Sequence, residues 1–232
     1  MQTMIPYSIL YSPGSERLMA DDSEMAPGVK AQREITPCPI TTEHRDNRRR
    51  VSPLYLQVKH NRREERMIWS WHSGLVVHEQ LLAELEQQGF TGYQVKPATV
   101  RFRDGSISTE YREFIVTGWA GMASPESGVQ VDKSCPACHW KQYSGIANPE
   151  KLIDWSQWTG DDFFIVWPMP LYKLVTGRVA DWLQSHKVKS FWLRGLQGSG
   201  PRIGERGFTP GRLSNYLPED LAIKYGRPLG LE

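Results

Sequence analysis

Only three cysteines occur in 232 residues, an odd number that suits no disulfide framework. No run approaches the roughly 20 apolar residues of a membrane-spanning helix. The N-terminus has no basic residue ahead of its short apolar run at 5–10, and no small-residue cleavage site follows, so it is a poor signal peptide. Charge of one sign is also lacking: 28 Lys and Arg against 26 Asp and Glu leave a net +2. That balance argues against a wholly basic nucleic-acid binder and against an acidic disordered chain. There is no Gly-x-Ser-x-Gly elbow, no P-loop and no His-Glu-x-x-His. No nucleophile–base pair or metal–water constellation can be assembled. These absences lead us to expect a cytoplasmic, non-enzymatic protein with no membrane association, its cysteines reduced or bound to metal.

What is present is aromatic. Nine Trp, nine Tyr and seven Phe supply large side chains to bury, although the hydrophobic fraction is 39% and mean hydropathy −0.50. At roughly 150 residues per domain, the length allows one large domain or two small ones.

The chain changes character along its length. Residues 1–50 carry no apolar period and read as a loose, partly disordered basic segment, the first 25 to 35 residues as a tail or a misplaced translation start. From Arg45 to Arg66, eight Lys and Arg stand against three Asp and Glu. Such a run is most simply a solvated face. Its functional reading is a nucleic-acid contact, for which aromatic interleaving is thin, Tyr55 being the only ring inside it.

From Val51 the pattern is that of an α+β domain reaching to Glu232, with a mixed or antiparallel sheet and two amphipathic helices. Leu54 to Lys59 and Met67 to Trp71 alternate like strands. Ser73 is expected to cap a helix that carries Leu75, Val76, Leu81, Leu82 and Leu85, with Gly89 as its stop. Extended segments follow at 90–103, with a break at Pro97, and at 110–119, turned by Asp104-Gly105. Further on, Asp162 to Trp167 reads as a buried strand. Thr176 is an N-cap, and Val179, Trp182, Leu183 and His186 form a helical stripe. A strand is expected at 188–193, then a Gly/Pro-rich tail with a short helix around 218–225. The strand–helix–strand grammar occurs at about 51–120 and again at about 160–195. It reads either as two related units or as ordinary α+β order.

Cys135-Pro136-Ala137-Cys138 is the most specific motif. Two thiols at this spacing turn toward one metal, and a structural zinc needs four ligands. Cys38 and His44 are the candidates to complete a Cys3His set with Cys135 and Cys138, with His139 as an alternative fourth ligand. A closed set would be a folding staple. The same spelling also serves thioredoxin-like redox sites and haem attachment, but the polar, loop-like sequel suits neither.

Several further features have plainer readings. Gly195 to Gly200 is glycine-rich, yet no amphipathic helix follows, so it reads as a loop. Asp161-Asp162 reads as a turn or cap, and His72 and His78 as surface or packed histidines. Trp155 and Trp158 are expected to pack on the strand at 163–167.

From about Trp69 to Leu193 the order of features resembles the double-CXXCG-motif family, which includes myxobacterial toxin-immunity proteins. The residues that carry it are the Phe90-Thr91-Gly92 exit, the Cys135–Cys138 knuckle, the Asp154–Phe164 block and the Thr176-Gly177-Arg178-Val179 helix start. Two departures stand out: His139 replaces the glycine of the second CXXCG, and Pro37-Cys38-Pro39 is at most a remnant of the first. The resemblance implies a non-enzymatic intracellular protein that binds a cognate protein toxin, with zinc as a possible structural cofactor. The alternative is a zinc-knuckle nucleic-acid binder using 45–66.

Overall fold

The computed structural model describes residues 7–11, 19–35, 37–44, 49–70, 74–196 and 207–232. Expectations for Trp71, His72, Ser73, residues 45–48 and the glycine-rich loop beyond Leu196 therefore lie outside the described residues. In chain order the strands are β1 (Tyr7–Tyr11), β2 (Met19–Ala20), β3 (Glu24–Ala26), β4 (Val29–Lys30), β5 (Leu54–Gln57), β6 (Met67–Ser70) and β7 (Leu75–His78). Helix α1 (Glu79–Gln87) precedes β8 (Tyr93–Arg101), β9 (Ile107–Val116), β10 (Gly118–Met122), β11 (Val131–Ser134), β12 (Lys141–Tyr143), β13 (Phe163–Trp167) and β14 (Lys173–Thr176). Helix α2 (Gly177–Ser185), β15 (Trp192–Gly195) and α3 (Glu219–Gly226) complete the chain, which is α+β as expected.

Two sheets dominate. One runs β2-β6-β7-β9-β8-β5 and the other β10-β13-β14-β1-β15. Their strand patterns correspond. Each opens on a parallel edge pair, β2 with β6 and β10 with β13. An antiparallel hairpin follows, β6–β7 or β13–β14, whose second strand runs directly into a helix. The strand after that helix, β8 or β15, lies two places away. The place between is filled by β9 in the first sheet and, in the second, by the N-terminal β1. Only the first sheet has a sixth strand, β5 beside β8.

This corrects the expectation of a loose N-terminus. Tyr7, Ile9 and Leu10 are buried at 3%, 2% and 0% exposure. The reason is local: Tyr-Ser-Ile-Leu-Tyr is a short β-prone run whose neighbours are found only some 165 residues later. It also shifts the boundaries expected at 51–120 and 160–195. β10 starts inside the first of those spans and runs past its end, and it pairs in the second sheet; β1 and β2 lie in neither span.

Both sheets are covered on both faces, which explains the aromatic content. In β13, Phe163, Ile165 and Trp167 point into the core shared by the two sheets and the helices, while Phe164 and Val166 point to the outer side. There Trp155 and Trp158 pack on Phe164 with ring centroids 6.5 and 5.8 Å apart. β6 and β7 alternate likewise, with Ile68 and Val76 facing a third cluster that includes Leu56 and Val100.

Helix α1 starts later than the sequence suggested. Leu75 to Val77 extend as a strand because β6 offers an antiparallel partner, so β-branched Val76 and Val77 take the pairing. The cap is His78, whose Nδ1 accepts from the Gln80 N–H at 3.2 Å. The segment around Pro97 is likewise unbroken strand, and Gly105 turns it into β9 with φ +85°. Thr176 holds the N-cap place of α2, but its hydroxyl donates to Asp162 Oδ1 at 2.9 Å. Asp162 is thereby a joint. Its carboxylate also accepts from the Thr91 N–H at 3.2 Å and from Arg178, which itself reaches Gln88 O at the end of α1. Gly92, at φ +88°, lets this joint close: a Cβ there would stand 2.0 Å from Phe163 O. The C-terminal segment returns to the shared core through Leu213, Leu217, Ala222 and Leu231, and Tyr225 stacks on Trp119.

Candidate metal centre

Cys38 and His44 lie in the long connection between β4 and β5, and Cys135 and Cys138 lie in the hairpin loop joining β11 to β12. Seen against the sheet order, these are equivalent places. Each lies on the connection between the parallel edge strand (β2 or β10) and the first strand of the hairpin (β6 or β13). Each connection delivers one pair of potential donors. Their four donor atoms all lie within 4.8 Å of one another. Cys38 Sγ is 3.9 Å from Cys135 Sγ, and Cys138 Sγ is 3.8 Å from His44 Nδ1. Tetrahedral zinc with Zn–S near 2.3 Å sets its sulfurs about 3.8 Å apart, so the donor set fits that ion in chemistry and spacing.

The two cysteine turns are built alike. The Cys135 sulfur accepts backbone hydrogen bonds from Ala137 and Cys138. The Cys38 sulfur accepts from Ile40, at 3.4 Å, and Thr41. Cys38-Pro39-Ile40-Thr41 therefore superposes in role on Cys135-Pro136-Ala137-Cys138. Thr41 stands where a second cysteine would, and His44 supplies the missing donor three residues later. The fourth donor of the cluster is His44; His139 does not join it. His139 has instead φ +58°, a left-handed backbone that glycine adopts without strain. Its N–H donates to Cys135 O at 2.9 Å and closes the knuckle.

Electrostatics divides the thiols. Desolvation raises the Cys38 thiol, but the N–H groups of Ile40 and Thr41, with Cys138 and His44, outweigh it and bring it down to about 6. The N–H groups of Cys138 and Ala137 lower Cys135. Desolvation lifts Cys138 to about 11. The hydrogen bond with Cys38 raises His44.

Trp140 is the contributor that sequence reading missed. Its ring stacks on His44 at 4.4 Å and 6°, fixing the imidazole plane. Its carbonyl accepts from Cys135 N–H at 2.8 Å. The available signal was its place two residues past Cys138. The repeated Cys-Pro at 38–39 and 135–136 was the signal for pairing the two turns.

Among the described residues, the arginines of the basic run all make ion pairs: Arg49 with Glu219, Arg50 with Glu113, Arg62 with Glu65, Arg63 with Asp104 and Arg66 with Glu84. Among the described residues no helix is long and apolar enough to cross a membrane. No protein-family model matches the chain, and no curated protein matches it.

Proposed function

We propose that this chain is a non-enzymatic intracellular protein-binding module of the toxin-immunity kind, stapled by one structural zinc. The observation that carries the reading is the cluster of Cys38, His44, Cys135 and Cys138. Four protein donors leave no open position for substrate or water, which is the arrangement of a structural and not a catalytic site. The staple ties the two long connections to each other, 97 residues apart at Cys38 and Cys135. Loops held in this way are rigid enough to present a recognition surface without ordering cost on binding. The order of features from Trp69 to Leu193 supports the immunity reading through its likeness to the double-CXXCG family. The nucleic-acid reading has less support, because carboxylates within the protein answer the arginines from Arg49 to Arg66.

Two measurements test this. Zinc per chain on untagged protein should be close to one and should fall with stability in Cys135→Ser/Cys138→Ser. Co-expression should rescue cells from a toxin encoded beside this chain. Failure to rescue from every neighbouring candidate would sink the immunity reading while leaving the zinc staple standing.

A further inference from the structure

The first sheet continues past the strand that follows its helix: β5 lies beside β8, parallel to it, with Leu54 opposite Ala98. The second sheet ends at the corresponding strand, β15. Beside β15 is an open groove of about 440 Å³, lined by Gln184, Val188, Phe191, Trp192 and Leu193. Val188, Phe191 and Leu193 also pack into the shared core. Trp192 does not. It is 57% exposed, the one exposed aromatic among the described side chains. Tryptophan is enriched among the few side chains that dominate protein–protein binding.

Positive charge surrounds this ring. No Asp or Glu occurs from Trp182 to Leu196, a stretch that carries Lys187, Lys189 and Arg194. Lys187 and Lys189, on either side of Val188, are exposed, and neither makes an ion pair among the described residues. Glu65 reaches the segment through the Ser190 hydroxyl, but Arg62 answers it. Lys187 also marks a difference between the two units. Gly89 and Lys187 hold the same place after α1 and α2, with their N–H groups donating to Glu86 O at 2.9 Å and Gln184 O at 3.1 Å. Both backbones are left-handed, at φ +65° and +50°. Glycine takes that angle without strain and lysine does not. The second unit thus keeps a charge where its backbone favours glycine.

We infer that this groove docks an extended acidic segment of a partner protein, with an apolar side chain of that segment against Trp192 and its carboxylates on Lys187 and Lys189. The inference rests on the protein-binding reading above and names the face that does the binding. In the first sheet the corresponding place is taken by an extended strand, β5. A second copy of this chain fits poorly, because it would set Lys187 and Lys189 against their own counterparts. Single-stranded nucleic acid also fits less well, since it stacks on successive rings and one is exposed here.

The test selects displayed random dodecapeptides on the full chain as purified, and measures the enriched peptides by fluorescence anisotropy. Enriched sequences should carry an excess of Asp and Glu around a large apolar residue. Their affinity should fall about tenfold in Trp192→Ala and in Lys187→Gly/Lys189→Gln, and it should weaken with salt. Lys187→Gly relieves the backbone, so the second variant should keep its melting temperature. The inference is overturned by no enrichment, by enrichment without acidic excess, or by unchanged affinity in either folded variant. It is equally overturned if the same residues hold oligo-dT or a second copy in place of the peptides. Toxin rescue separates this inference from the immunity reading. If wild type and both variants neutralise a neighbouring toxin equally, the groove assignment fails and the immunity reading stands. If no toxin is neutralised, yet acidic peptides bind through Trp192, the groove stands and the immunity reading fails.

Discussion

The first sheet is assembled from strands that follow one another closely, whereas the second borrows its inner strand from the opposite end of the chain. In the first, β9 follows β8 through a turn at Asp104-Gly105. In the second, β1 fills the same place between β14 and β15 from residues 7–11. The same strand pattern is reached by two chain orders, related as if the chain were closed end to end and reopened before β1. The teaching is that a sheet specifies which strands must be neighbours and leaves their order along the chain open. The four clustered donors obey the same correspondence: each unit sends one pair from the connection after its parallel edge strand.

The most severe way to break the comparison is to remove residues 1–11. The first sheet would keep all its strands, but the second would lose an interior one that buries Tyr7, Ile9 and Leu10, so cooperative thermal unfolding should vanish. A circular permutant that joins residue 232 to residue 1 through a flexible linker, and opens the chain between β1 and β2, should by contrast melt cooperatively. Loss of folding there would show that the correspondence is only a likeness of diagrams.

The next test concerns the ligand pairs. Chelation of zinc, or Cys135→Ser, should lower stability by several kcal/mol, read as a fall in melting temperature, because binding energy at a closed site is folding energy. His44→Ala alone should lose zinc. His44→Ala with Thr41→Cys should regain it, with a cobalt(II)-substituted spectrum shifting toward four thiolates. If the double variant stays metal-free, Thr41 is not the counterpart of Cys138.

Lys173 gives a pH signature confined to the second sheet. Its folded value near 8 lies below the ordinary 10.5, so between about pH 8 and 10.5 the unfolded chain holds a proton that the folded chain has lost. Stability should therefore rise with pH through that window, and below it the full cost remains. Lys173→Met should abolish the rise and add up to roughly 3 kcal/mol at pH 7, measured by urea unfolding. The smallest expected effect is at the knuckle. His139→Gly should stabilise by about 1 kcal/mol, since it relieves a left-handed side-chain-bearing residue, and zinc content should be unchanged. A destabilised variant would mean that the imidazole makes a contact worth more than the strain.

Much of this was legible in the sequence. The strands around Phe163–Trp167 and the turn at Asp104-Gly105 carry strong local signals, as do Gly89 at the end of α1 and the short helix near 218–225. All four donors of the cluster were nameable, because cysteine and histidine are scarce and the Cys-x-x-Cys spacing is informative. Non-local arrangements were not legible. Nothing within Tyr7–Tyr11 says that its partners are at 173–176 and 192–195. Leu75–His78 has helical spacing and turns to strand only because β6 is beside it. That His44 and not His139 joins the cluster depends on how the β4–β5 connection folds against the β11–β12 hairpin, which spacing does not encode.

The borrowed strand also has a consequence for synthesis. β1 leaves the ribosome well before its two partners, which end at Thr176 and Gly195. At roughly 5–20 residues per second, it waits about 10–40 s before it can dock. The first sheet has all six of its strands once β9 has emerged at Val116. Translation thus delivers a nearly finished half beside an unsatisfied apolar strand, and the nascent chain is sealed only when its earliest and latest strands meet.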